Sequence, residues 1–175
     1  MCCKYQIQTC QSIDIQLLVL QMIVNMKKAR KEMAENEYER KIAKFIMEVG
    51  KADLDDEEEQ IYDAFTNTKG FKIIQIKDLI GLFNLLKIIA NNSDFGSKHI
   101  LIKHYGIKKD SVTAREIVQM AQIVKSVEPV PDVNDKTGKR HVYELWKNNI
   151  RYRVVIDVNK KSKSGVLISF YTNRK

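Results

Sequence analysis

The tightest constraint on the fold lies between residues 141 and 172. Three runs there, 141–146, 150–158 and 166–172, are rich in β-branched and aromatic residues. Lys147-Asn148-Asn149 separates the first two, and Asn tolerates the positive φ that a tight hairpin requires. Residues 160–165 supply the second turn. Strands joined this closely pair antiparallel, so the C-terminal part must build a sheet of three or more such strands. Two helices precede it. Residues 97–105 form the first, which stops at Gly106. Thr113-Ala114-Arg115-Glu116 is a capping box opening the second, which buries Ile117, Met120, Ala121 and Val124. Residues 128–140 are a polar loop holding both prolines.

The earlier residues read as mostly helical. Ile13, Leu17, Leu20 and Val24, then Ile42, Phe45, Ile46 and Val49, recur at helical spacing between residues 12 and 50, with a charged stretch at 27–40 between them. The acidic block 53–59 suits a helix start and opens a helix to about Phe65. Residues 66–70 are a turn and 71–76 a short strand. Residues 77–90 (KDLIGLFNLLKIIA) read as an apolar helix with Leu79, Leu82, Phe83, Leu86 and Ile89 inward. Asn91-Asn92-Ser93-Asp94 breaks the pattern. The expected class is therefore α+β: a helical N-terminal region, 1–93, and a small domain, 94–175, of two helices packed on an antiparallel β-sheet.

Charge divides along the same line. Residues 96–175 hold 17 Lys/Arg against 7 Asp/Glu; residues 1–95 hold 13 against 15. A basic domain favours a polyanion, nucleic acid first and an anionic membrane surface second. Cys2, Cys3 and Cys10 are odd in number and clustered, which is no disulfide framework, and no histidine lies near enough to complete a zinc site. No metal or other cofactor is expected. The apolar stretch 13–24 is interrupted by Asp14, Gln16 and Gln21 and is too short to span a bilayer, so no stable membrane insertion is expected.

Titratable and cationic side chains concentrate in the basic half. Lys98, His99, Lys103 and His104 share one short helix, with His99 and Lys103 one turn apart and His104 at the core edge. Histidine takes and gives protons near neutrality. Alternation puts Arg151, Arg153, Val155 and Asp157 on one side of their strand, and Leu167, Ser169 and Tyr171 on one side of the last. Guanidinium forks suit phosphate, and tyrosine stacks on a base or bonds to phosphate. Cleavage of RNA by its own 2′-hydroxyl needs this set: a proton acceptor, a proton donor and cations for the charge at phosphorus.

The stretch GSKHILIKHYG, a following helix, a variable loop, a YRVVID strand and a terminal ISFYTNR strand together resemble the phage and bacterial toxin nucleases of the barnase–EndoU–colicin–RelE-like superfamily. The resemblance covers roughly residues 94–175. It implies a metal-independent endoribonuclease acting on tRNA or other cellular RNA and leaving a 2′,3′-cyclic phosphate. The group implied as catalytic comprises His99, His104, Lys103, Arg151, Arg153, Ser169, Tyr171 and Thr172. Lys98, Arg140, His141, Tyr152 and Arg174 are implied as RNA contacts. It also implies an immunity protein or antitoxin as partner, and action in the cytoplasm of the producing or the target cell, from a phage-encoded or delivered protein. Two other readings stand beside it: a non-catalytic RNA-binding module that uses the same basic face, and a phage or adaptor protein that works through its N-terminal helices while the C-terminal domain is passive.

Overall fold

The computed structural model describes residues 4–50, 53–106 and 110–174. Cys2 and Cys3 lie outside that set, as do the side chains of Cys10 and Ile13. The chain divides into two compact units, Met1–Glu39 and Arg40–Lys175. The first is helical: α1 runs Lys4–Val49, and Leu17, Leu18, Val19, Leu20, Met22, Ile23, Val24 and Met26 are all exposed. Among the described residues no helix is long and apolar enough to cross a membrane.

The second unit is α+β, as the sequence implies. It opens with the end of α1 and continues α2 Asp56–Thr66, β1 Phe71–Gln75, β2 Leu85–Ile89 and α3 Gly96–Lys103. Then come α4 Ala114–Val118, α5 Met120–Ser126, β3 Val130–Pro131, β4 Arg140–Lys147, β5 Ile150–Asn159 and β6 Ser164–Arg174. Local chemistry sets many of these ends. Asp55 caps α2 through the amides of Glu57 and Glu58, and Glu58 returns a bond to the Asp55 amide. Thr113 and Glu116 do the same for α4. Asn148 and Asn149 turn β4 into β5 with φ of 53° and 60°, the left-handed pair of a tight hairpin.

The strands form one sheet in the order β1-β2-β6-β5-β4-β3. Every pair is antiparallel except β2 with β6, so the sheet is mixed rather than purely antiparallel. It also crosses the expected boundary at residue 93, because β1 and β2 pair into the same sheet as the C-terminal strands.

The helix expected over 77–90 is not there. Asp78 accepts from the Phe83 amide and from the Tyr143 hydroxyl, Gly81 turns with φ +71°, and residues 85–89 run as a strand. Leu86 and Ile88 are fully buried at a period of two, while Leu79 is 51% exposed. Strand partners on both sides outweigh the helical spacing of the apolar residues.

One face of the sheet carries Ile74, Leu86, Ile88, Leu167, Phe170, Val154, Ile156 and Tyr143, all essentially without exposure. Phe45 of α1 stacks on Tyr62 and meets Phe65 and Tyr105, extending this core among the helices. The other face is open, with Phe71, Ile73 and Trp146 each about half exposed. An irregularity in register between Val155 and Ile156 shifts the alternation of β6. Leu167 therefore joins Phe170 on the covered face, instead of sharing a side with Ser169 and Tyr171.

β2 meets β6 only over Ser164–Val166. Beyond that point the edge of β6 runs beside the 110–111 segment, where the Thr172 amide donates to the Asp110 carbonyl, and α3 packs on the same strand. Gly96 makes the change from β2 to α3 possible. It sits at φ +80°, and a Cβ there would be 2.2 Å from the Ile89 carbonyl oxygen.

Candidate active site

α3 carries the two histidines to the rim of the open face. His104 is its C-cap residue, and its imidazole lies 5.1 Å from that of His99 and 5.4 Å from the Tyr171 ring, centre to centre. The Tyr171 hydroxyl accepts a 3.0 Å bond from Arg153, directly across the β5–β6 ladder. Arg153 in turn stands opposite Glu144 in β4. Glu144 accepts a 2.6 Å bond from Arg151. Its same oxygen lies 3.1 Å from Arg153 Nε, an ion pair too oblique to be a hydrogen bond. One line thus crosses the sheet: Glu144, Arg153, Tyr171, His104, His99. Beside its histidine end opens a cleft of about 600 Å³ lined by Lys103, His104, Asp110, Ser111, Tyr171, Thr172 and Asn173.

Electrostatics separates the roles. Burial, with His99 and Lys103 as cationic neighbours, lowers the His104 pKa to about 4. That imidazole is neutral at pH 7, so its free lone pair is available as a proton acceptor, although a weaker base than an ordinary histidine. His99 has one ring nitrogen 3.0 Å from the Ser93 carbonyl, which fixes the ring and leaves the other nitrogen for chemistry. The hydrogen bond from Arg151, joined by the charges of both arginines and a bond from Trp146, holds the Glu144 carboxyl below its ordinary range. Glu144 therefore stays ionised and fixes both guanidinium groups.

The remaining expected residues separate by face and by partner. Lys103 is exposed at the mouth of the cleft, and Lys98 donates to Asn91 on the outer side of α3. Arg140 is on the open face but pairs with Asp157. Five further expected RNA or nucleotide contacts are buried in the fold or bonded to it. Thr172 is fully buried and its hydroxyl donates to the Ser111 carbonyl, so it holds the cleft wall together. His141 is 5% exposed, on the covered face, with a ring nitrogen 2.8 Å from the Lys139 carbonyl. Tyr152 and Arg174 both donate to Glu116, fastening β5 and β6 to the start of α4. Ser169 is on the predicted face, yet its Oγ is out of reach of solvent and has no partner among the described residues; it cannot touch a nucleotide in this arrangement.

Glu144 is the member of this candidate site that sequence reasoning missed. A lone carboxylate in a strand carries no motif. Its meaning comes from register, which sets it opposite Arg153. The one available signal was an acid on the same alternation as its partners across a two-residue turn. Among the described residues no group of three or more His, Cys, Asp or Glu side chains could hold a metal ion. No known family model, curated protein or solved structure matches the chain.

Proposed function

We propose that the protein is an endoribonuclease that cleaves RNA through the RNA's own 2′-hydroxyl, without a resident metal. The observation that carries this reading is the single line of contacts from Glu144 through Arg153 and Tyr171 to His104 and His99, beside a cleft able to take a ribose phosphate. In the first step the 2′-oxygen bonds to phosphorus and its proton passes to His104. The bond from phosphorus to the 5′-oxygen breaks, and that oxygen takes a proton from His99. Arg153 and Lys103 offset the charge that builds on the phosphoryl oxygens, and Glu144 keeps Arg153 aimed. The products are a 2′,3′-cyclic phosphate and a 5′-hydroxyl. The basic balance of residues 96–175 supplies general attraction for the RNA backbone. The resemblance of 94–175 to toxin nucleases agrees with this chemistry and makes tRNA the first substrate to test.

Incubating the purified protein with bulk tRNA and rRNA in excess chelator tests the reading. Fragments ending in 2′,3′-cyclic phosphate are the expected result. Retarded but intact RNA would replace the enzyme with a binding module, and fragments ending in 3′-hydroxyl would overturn the mechanism.

A further inference from the structure

Beside Glu144 and Arg151, the open face holds a large aromatic that the reaction does not use. Trp146 lies at the end of β4, one alternation along from Glu144 and directly opposite Arg151. It is 50% exposed, an unusual position for the most costly apolar side chain to hydrate. It is also held in place. The Arg151 guanidinium stands over the ring, 5.8 Å from its centre, and the ionised Glu144 carboxylate that pairs with Arg151 is one alternation away on the same strand. A ring stacked under a cation that is itself held by a carboxylate is a fixed plate rather than a mobile surface side chain. From Trp146 to Tyr171 the path crosses two strand spacings and one side-chain repeat, about 12 Å along the face. A nucleotide and its neighbour bridge such a span, and the phosphate between them passes over Arg151 and Arg153.

Resting on the endoribonuclease reading, we infer that Trp146 is a base-stacking platform, and that the site therefore takes single-stranded RNA whose base next to the scissile phosphate is unpaired. A paired base within an A-form helix presents its edges and not its flat face, so only an unstacked base lies down on the indole. Arg151 acts at both ends of this contact. It grips the phosphate and it fixes the ring, and Glu144 joins the platform to the catalytic line. Trp146 touches the substrate through its base only, so it governs which RNA is held rather than how the bond breaks.

Trp146 is the only tryptophan of the chain, so its fluorescence reports this contact alone. The probe is a short single-stranded oligonucleotide with 2′-O-methyl riboses, which binds but lacks the attacking hydroxyl. Titration with it should quench the emission, and a duplex of the same sequence should quench far less. Trp146→Ala should weaken binding of the single strand by between about fivefold and about a hundredfold, the range for one base stacked on an aromatic ring. Trp146→Phe should recover most of that loss. With cleavable RNA, Trp146→Ala should raise KM more than it lowers kcat. Absence of quenching by the single strand, or equal quenching by the duplex, would overturn the platform even if the protein cleaves RNA. Quenching by the single strand from a protein that cleaves nothing would retain the platform and remove the enzyme.

Discussion

Two carboxylates, Glu116 and Glu144, each gather several partners from neighbouring elements, but on opposite faces of the sheet. Glu116 accepts from Tyr152, from Arg174 and from the Thr113 amide. Glu144 is bonded to Arg151 and paired with Arg153. The first hub lies on the covered side, where burial pushes the Glu116 carboxyl up and the Thr113 amide, Tyr152 and Arg174 together bring it below its ordinary range. Everything it holds is another part of the fold: a helix start, β5 and β6. The second hub lies on the open side and spans neighbouring strands the ladder already joins. Its bonds add little to the fold and aim their cations outward. Side chains of one chemical type become a fastener or a candidate binding surface according to which sheet face they leave from.

The comparison makes ordered predictions. Replacing His104 with Gln should cut RNA cleavage by roughly a hundredfold to ten-thousandfold, the usual contribution of a placed proton-transfer group, with the melting curve near that of the native protein. A variant that cleaves normally would take the open hub out of the chemistry. Arg153→Ala should lose on the order of a hundredfold in cleavage while thermal unfolding shifts little, because Arg153 serves the open face. Glu116→Ala should show the reverse. Unfolding titrations should report a loss of about 2 kcal/mol as Arg174 and Tyr152 lose their acceptor, with cleavage per folded molecule unchanged. If Glu116→Ala instead left stability intact and lowered activity, the division between faces would fail.

The smallest effect is a pH dependence. The His104 pKa is about 4 in the folded protein and near 6.5 when unfolded. Between those values the unfolded chain binds more protons, so this histidine's contribution to stability is complete above about pH 6.5 and is lost as pH falls towards 4. His104→Gln should flatten that part of the stability profile. In the native protein the acidic limb of kcat/KM should fall near pH 4 rather than near 6.5, because His104 must be neutral to accept the proton.

What is legible in the sequence alone is what short-range chemistry decides. Asn148-Asn149 announced a hairpin, Thr113 with Glu116 announced a helix start, and the acidic block announced α2. Leu85–Ile89 could not be read that way. A short apolar run suits a helix or a buried strand, and the choice was made by β1 on one side and by β6, far along the chain, on the other. The site divides likewise. His99 and His104 fall on one helix by spacing alone, and Arg153 meets Tyr171 as alternation implied. The burial of Thr172, the inward turn of His141 and the pairing of Tyr152 with Glu116 depend on which face the helices cover. Glu144 depends on cross-strand register, and Leu167 on a single irregular step in the ladder.

Gly96 has a consequence out of proportion to its size. A methyl group at that position would collide with the last turn of chain leaving β2, so any larger residue would push α3 away from the sheet. Both imidazoles ride on that helix, which is tied to the strand bearing Tyr171 and Arg153 by the His104–Tyr171 ring contact and by the 110–112 segment beyond it. If the proposed reaction holds, the spacing between its proton carriers and phosphate grips depends on one absent carbon away from the cleft, and Gly96→Ala should lower cleavage while leaving every reactive group in the sequence.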